Sequence, residues 1–326
     1  MAAQTLLSKL LIWRLRHLST KNFVLLLSAV IGIISGLAAV FLKWAVHAIQ
    51  HFLTQDFNAA YANFFYIIYP LIGISLAYIV GNYLLRDVGG HGIPDVLYAI
   101  SKQNSLIPRV KMFSRVLTSA LTVGFGGSVG LEAPIVMTGS AIGSNVGLTM
   151  HLNAKKRTLL IGCGAAGAIS AIFGAPIGAV IFAIEVILLE VSAGSFIPLL
   201  LASVMGSITA LLFADSGSIL EINLQDDFLA AHMPYYLLLG VFTGLVSLYF
   251  SRIVLRTEKL MGLLEEPAVK LLYGGAFIGL IIFFFPPIYG EGYETLNALI
   301  ANDPARILQN SPFLSEVDKP CSLCSF

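Results

Sequence analysis

Long runs of apolar residues dominate the chain, and they predict helices that cross a membrane. A spanning helix needs about 20 consecutive, mostly apolar residues. Four runs are long enough to cross alone, at positions 23–49, 64–85, 195–213 and 233–255. No repeat of fixed period and no low-complexity linker divides the chain, so the pattern predicts one membrane domain.

Other apolar segments are shorter or are interrupted by glycine and proline, and several are too short to span alone. They occupy positions 93–100, 110–124, 133–150, 158–172, 176–189 and 267–285. Broken helices are tolerated at membrane depth only where their freed backbone groups are buried in protein or line a wet cavity. The pattern therefore predicts an all-α polytopic membrane protein with a transport path.

The flanks of this domain differ from it in charge. Positions 1–22 carry four basic residues and no acidic one, and basic flanks tend to stay in the cytoplasm. The apolar run from position 23 is too long for a signal peptide, so we expect a retained anchor, and a bacterial inner membrane fits. We expect the membrane domain to cover 23–300 and a polar tail to cover 301–326.

Composition supports a lipid environment and excludes some partners. Apolar residues make up 57% of the 326 residues and charged residues only 11%, against about 25% in soluble domains. The bilayer is therefore an expected partner. The 19 basic residues nearly cancel the 18 acidic ones, so nucleic acid is not expected as a partner.

Catalytic and cofactor motifs are absent from the sequence. No H-E-x-x-H and no serine–histidine or cysteine–histidine arrangement is recognisable, so an enzyme is not expected. Of Cys163, Cys321 and Cys324, the last two form one isolated C-x-x-C, which is weak evidence for a metal site. No metal and no cofactor is expected.

Three glycine-rich turns each run into a proline at the start of an apolar segment, at positions 89–94, 126–134 and 174–176. Proline belongs in the first turn of a helix, so these turns predict helix starts. The first of them reads Gly89, Gly90, His91, Gly92, Ile93, Pro94. The free N–H groups and partial positive charge of such a helix start suit a small anion, although a plain loop between helices is an equal alternative.

The second turn, Gly130, Leu131, Glu132, Ala133, Pro134, contains an isolated acid. Between positions 115 and 155 the only ionisable side chains are Glu132 and His151. A buried membrane carboxylate costs about 2.5 to 3.5 kcal/mol, and one helix end returns up to about 2 kcal/mol. Two or three converging helix ends would suffice, so Glu132 is predicted to occupy the anion site as a protonatable gate. The alternative is a glutamate that simply caps its helix.

The third turn opens an apolar helix that ends in Glu185 and Val186. Between positions 158 and 214 the only charged residues are Glu185 and Glu190. Glu185 is as well explained by an acid at the membrane interface as by a role in transport. Small residues are dense over 139–178, which predicts close packing of the helices there.

Together the three motifs resemble the CLC family of chloride channels and chloride/proton antiporters. The family's G-S-G-I-P, G-R/K-E-G-P and G/N-A-P motifs appear here as G-H-G-I-P, G-L-E-A-P and G-A-P-I-G-A-V-I-F-A-I-E-V. The similarity extends over about positions 23–299 and ends near the sequence Tyr289, Gly290, Glu291, Gly292, Tyr293. The family's G-x-F-x-P motif and late pore tyrosine have no counterpart, so the second repeat is expected to be incomplete.

The resemblance implies a homodimer with one anion pathway per subunit, built from two inverted repeats. It implies that Glu132 is the gating glutamate and that His91 takes the position of an anion-coordinating serine. Ala133 replaces a glycine, and Val186 falls where antiporters typically carry an internal glutamate. The main hypothesis is transport of chloride or a related small anion. The alternatives are a proton-coupled antiporter and a non-conducting subunit that needs a second chain.

Overall fold

The computed structural model describes residues 19–55, 59–87, 90, 92–187, 193–214 and 233–301. In these ranges the regular structure is helical. The α-helices are α1 (Thr20–Gln55), α2 (Ala59–Ile79), α3 (Ile93–Lys102), α4 (Ser114–Gly124), α5 (Glu132–Thr149), α6 (Ala154–Phe173), α7 (Pro176–Phe182), α8 (Ala193–Ala214), α9 (Met233–Gly262), α10 (Pro267–Phe284) and α11 (Tyr293–Ile300). Short π-helical turns extend α2 and α7, at Val80–Leu84 and Ala183–Ile187.

Six of the described helices are long and apolar enough to cross a membrane. Four of them cover the four long runs predicted from the sequence. The other two are Ala154–Phe173 and Pro267–Phe284. The sequence pattern predicts shorter or interrupted segments at both of these places. The glycines do not break either helix. In a membrane, small residues at a contact between helices let the two backbones approach closely. The prediction of an all-α polytopic membrane protein is confirmed.

The core is built where α1, α5, α6 and α8 pack closely through small residues. A methyl group added to Gly164 of α6 would overlap the Gly139 carbonyl of α5, and one added to Gly139 would overlap the Gly164 carbonyl. A methyl group added to Gly206 of α8 would overlap the Gly167 carbonyl of α6, and one added to Gly167 would meet the backbone of Gly32 of α1 and Ala202 of α8. The predicted close packing over 139–178 therefore occurs, and 14 of the 20 residues of α6 are buried.

The half-length helices surround this core. Helices α3, α4 and α7 have 10, 11 and 7 residues, which is too short to cross a bilayer. They pack on the longer helices: Val96 of α3 and Ala179 of α7 share a buried cluster with Ile161 of α6, and Val116 of α4 shares another with Leu42 of α1. These placements give the broken helices that the glycine–proline turns predicted.

The remaining long helices, α2, α9 and α10, contribute few buried residues. Helix α10 packs on α2, where Gly275 and Gly279 meet the backbone of Leu71 and Ile67. None of the residues of α9 is buried, although the helix is 30 residues long and strongly apolar. Such a surface suits contact with lipid or with further protein. The expected terminal segments at 1–18 and 302–326 lie outside the described residues.

The packing of α5 on α6 predicts that Gly164→Ala destabilises the fold. The added methyl group has no space against the Gly139 carbonyl, and overpacking costs about 1 to 3 kcal/mol. Gly240→Ala in α9 is the matched control, because nothing lies within 4 Å of its added methyl group. We expect a lower thermal midpoint in detergent for Gly164→Ala alone. Equal midpoints for the two variants would contradict the packing.

Candidate functional site

The first glycine turn places the start of α3 inside the protein. Gly92 is the N-cap residue, with φ of 67° and ψ of −106°, a conformation that favours glycine. Pro94 follows in the first helical turn, where its missing N–H costs nothing. Ile93 begins the helix, as the sequence predicted. His91, the predicted anion-coordinating position, lies outside the described residues.

The second turn places Glu132 as the first residue of α5. Leu131 is the N-cap residue and is only 1% exposed, whereas Glu132 is partly buried. The carboxylate of Glu132 folds back over Gly130, because a methyl group at position 130 would overlap its Oε2 atom. Glycine at 130 is therefore what makes room for the carboxylate in this orientation.

The starts of α3 and α5 converge. A Cβ atom added to Gly92 would lie 3.1 Å from Ala133 Cβ and 3.5 Å from the Ala133 carbonyl oxygen. Two predicted anion-site turns, one around Gly92 and one around Gly130, therefore meet at Ala133. Since both helix starts carry partial positive charge, this is a favourable place for a negative group. Glu132, the residue directly before Ala133, begins α5 at this junction.

A third helix start reaches the same place and was missed by the sequence analysis. Tyr293 is the first residue of α11, and its hydroxyl donates a hydrogen bond to Glu132 Oε1 across 161 residues of sequence. The Tyr293 ring also packs edge-on against Phe173 of α6, with ring centroids 6.1 Å apart and an interplanar angle of 85°. The one available signal was the Gly-x-Gly-Tyr turn at 290–293, where two glycines have positive φ.

A cluster of charged side chains lies beside Gly90, and sequence analysis missed it too. Asp95, in the first turn of α3, forms an ion pair with Lys111 at 2.8 Å. Arg115 of α4 lies 3.6 Å from Asp87, which also accepts a hydrogen bond from Ser114 at 2.5 Å. An added Cβ on Gly90 would lie 2.7 Å from Arg115 Nη2. These ion pairs hold the segment that leads into α3 in place. The available sequence signal was Asp95, the acidic residue directly after Pro94.

The third motif opens the short helix α7. Helix α7 begins at Pro176, as predicted, and the Pro176 carbonyl accepts a hydrogen bond of 2.7 Å from Ser203 of α8. Glu185 is exposed in the π-helical turn that follows α7. Val186 packs against the buried cluster that includes Val96. The π-helical turn that carries both residues contacts α3, α6 and α7.

Broken helices whose starts meet beside a partly buried carboxylate are typical of membrane transport proteins. The sequence profile described as "Voltage gated chloride channel" matches residues 72–315. The chain therefore belongs to the voltage-gated chloride channel, or CLC, family. This confirms the family resemblance of the three motifs, and it argues against an enzyme, since the family consists of channels and transporters.

Curated relatives of this chain include bacterial and plant proteins. A putative chloride channel protein ClcB-like of Ralstonia nicotianae is 26% identical, with 72% of this chain and 56% of the relative covered. The chloride channel protein CLC-f of Arabidopsis thaliana is 27% identical, with 85% of this chain and 38% of the relative covered. The H(+)/Cl(-) exchange transporter ClcA of Salmonella paratyphi B is 28% identical, with 79% of this chain and 56% of the relative covered. The chain spans about half the length of the curated relatives it matches.

Solved structures agree on the fold. A slow cyanobacterial Cl-/H+ antiporter has a TM-score of 0.74 at 19% identity, with 86% of this chain and 68% of that chain covered. A CLC-type fluoride/proton antiporter has a TM-score of 0.75 at 24% identity, with 87% of this chain and 71% of that chain covered. At these identities the similarity supports the CLC-type inverted-repeat architecture of broken helices.

The ion pair beside Gly90 predicts a measurable coupling energy between Asp95 and Lys111. Their side chains are 25% and 18% exposed, so the pair lies between exposed pairs and fully buried ones. We expect Lys111→Met to lower the free energy of unfolding by about 1 to 2 kcal/mol. Adding Asp95→Asn should restore part of this loss, because it removes the carboxylate that lost its cation.

The measurement is the thermal midpoint of each variant in detergent, arranged as a double-mutant cycle. Lys259→Met, which removes an exposed lysine from α9, is the matched control. Additive losses from Asp95→Asn and Lys111→Met would show that the ion pair does not couple these two segments.

Proposed function

We propose that this chain transports chloride or a related small anion across a membrane, and that Glu132 is the protonatable gate of the pathway. The observation that carries the proposal is the position of its carboxylate. It lies in the first turn of α5, folded over Gly130, where the start of α3 meets Ala133. An ionised carboxylate and a small anion are attracted by the same helix ends.

Competition between these two negative groups provides the gating mechanism. When Glu132 is ionised, its carboxylate occupies the electropositive place that a permeating anion needs. When it is protonated, the carboxyl group loses its charge and its electrostatic advantage at the helix starts. The anion then takes its place against the backbone of Gly90, Gly92, Ile93 and Pro94 on one side and of Gly130, Leu131 and Ala133 on the other.

Chloride is the substrate that we favour. The names of relatives that are 26% to 28% identical refer to chloride. One structural relative is described as a fluoride/proton antiporter. His91 stands where the family carries serine, so the choice between halides depends on a position whose side chain differs from the family motif.

Proton-coupled antiport is the second candidate. Its support comes from the ClcA relative, described as an H(+)/Cl(-) exchange transporter, and from the two antiporter structures. Val186 argues for passive permeation, because valine carries no proton. Glu185 is the neighbouring acid and is exposed, so it is the residue that would exchange protons with water in the coupled mechanism.

The arrangement in the membrane completes the proposal. The basic segment 1–22 supports a cytoplasmic N-terminus, and the cell (inner) membrane is the membrane that we favour. The membrane domain covers 23–300, followed by the tail at 301–326. A homodimer with one pathway per subunit fits the family, and no cofactor is required.

Glu132→Gln should remove the pH dependence of anion flux. Glutamine has nearly the same shape as glutamate but neither titrates nor carries charge, so it cannot compete with the anion. We expect flux at neutral pH to rise toward the level that the wild-type protein reaches in acid. The measurement is chloride efflux from liposomes containing the purified chain, under a potassium/valinomycin clamp, between pH 4.5 and 7.5, a range of about three units.

Glu258→Gln is the control, because it makes the same chemical change at an exposed acid of α9, a helix with no buried residue. Unchanged flux and unchanged pH dependence in Glu132→Gln would disprove the gating role. Efflux that appears only after co-expression of a second, complementary chain would instead favour the non-conducting subunit.

Passive permeation predicts chloride efflux without stoichiometric proton uptake. The expectation follows from Val186, which offers no titratable group at the position of the antiporter glutamate. The measurement records external pH during the same efflux experiment, with a protonophore present in a parallel sample. Proton uptake in fixed proportion to chloride would establish the antiporter instead.

A further inference from the structure

The contact between Tyr293 and Glu132 joins two distant parts of the sequence at the proposed gate. Tyr293 Oη donates a hydrogen bond to Glu132 Oε1. The tyrosine is held at the start of α11 by Gly292, whose φ of 77° lies in the left-handed region. This turn directs the phenol group at the carboxylate, since Gly292 is the N-cap residue and Tyr293 the first residue of the helix.

Packing fixes the ring as well as the hydroxyl. Phe173 lies edge-on to the Tyr293 ring at a centroid distance of 6.1 Å. Both aromatic rings pack against the buried cluster that contains Leu131, the residue directly before Glu132. The phenol and the backbone that carries the carboxylate therefore share one packed cluster, and the hydroxyl cannot shift away without moving the aromatic pair.

The chemistry of this hydrogen bond depends on the charge of Glu132. A hydrogen bond to an ionised carboxylate is roughly twice as strong as one between neutral groups. The Tyr293 hydroxyl thus favours the ionised gate over the protonated one. It also favours one location for the carboxylate, above Gly130, where a side chain larger than hydrogen would overlap it.

We propose that Tyr293 is a positioning residue for the gate, whose hydroxyl holds the ionised Glu132 carboxylate over Gly130 and sets the pH at which the carboxylate is displaced. The proposal rests on the proposed function of Glu132 and adds a regulatory residue to it. Tyr293 acts through Glu132 and is not required to touch the anion.

Other charged residues lie near Tyr293 and Gly90, and none of them is substituted in the test. Glu291 interacts electrostatically with Tyr293 and with Lys43 of α1. Lys43 Nζ also donates to the Ile172 carbonyl at 3.5 Å, beside Phe173. Asp95 and Arg115 lie next to Gly90, with Lys111 and Asp87 as their respective ion-pair partners.

The test removes only the hydroxyl, with Tyr293→Phe in the full chain. Two titrations are compared with wild type: the pH profile of chloride efflux and the infrared absorption of the protonated carboxyl group. The Glu132 band is assigned by its absence in Glu132→Gln. We expect both midpoints to move to higher pH by about one unit, a tenfold change in proton concentration. Tyr273→Phe, at an exposed tyrosine of α10, should leave both midpoints unchanged.

A second variant covers the case in which Tyr293→Phe does not fold. Incorporation of 3-fluorotyrosine at position 293 keeps the ring and makes the hydroxyl a stronger donor, so the infrared midpoint should move to lower pH. An unchanged midpoint in the folded variant, or a shift in the opposite direction, would overturn the role of Tyr293.

The outcomes separate this proposal from the one it rests on. If Glu132→Gln abolishes the pH dependence of flux and Tyr293→Phe leaves the midpoints unchanged, Glu132 is the gate and Tyr293 does not position it. If Glu132→Gln leaves flux unaffected, the gating proposal fails, and the infrared titration still tests whether the hydroxyl favours the ionised carboxylate. In the Glu132→Gln background, Tyr293→Phe should have no further effect on the pH profile.

Discussion

A peptide group that cannot reach water must find its hydrogen-bond partner within the protein. This constraint governs every helix that begins or ends inside the membrane domain. Helices α3 and α5 both begin beside Ala133, and their first N–H groups lack partners within their own helices. The structure places a carboxylate, a phenol and glycine backbone around these helix starts. The candidate site is thus the part of the fold where regular hydrogen bonding is interrupted.

Close helix packing makes such an interruption tolerable. Gly139 and Gly164 bring α5 and α6 into backbone contact, and Gly167 and Gly206 do the same for α6 and α8. Small residues at these contacts supply van der Waals packing that lipid cannot replace. The long helices thereby form a rigid support for the half-length ones. The approach beside Gly90 is fixed differently, by the ion pairs of Asp95 and Arg115.

Local sequence patterns predicted much of this organisation. The glycine–proline turns gave the starts of α3, α5 and α7 to within one residue, because proline and glycine restrict the backbone directly. Isolation among apolar residues singled out Glu132. The lengths of α6 and α10 were harder to judge, since glycine breaks a soluble helix but stabilises a membrane helix contact.

Contacts between distant segments could not be predicted in the same way. No periodicity or motif links Tyr293 to Glu132, which are 161 residues apart, and only the folded chain brings them together. The charge cluster at Gly90 is similar, because Asp87, Asp95 and the neighbouring Lys111 and Arg115 come from separate segments of the chain. Such contacts depend on tertiary packing, and they account for the parts of the site that sequence analysis missed.

The central claim is that the Glu132 carboxylate and a small anion compete for one place at the start of α5. Anomalous diffraction from crystals grown in bromide, at neutral and at acid pH, tests it most directly. The account predicts that bromide in acid lies between Gly92 and Gly130, with the carboxyl group turned away. Acid crystals with the carboxyl group still over Gly130, and no bromide at this place, would contradict it.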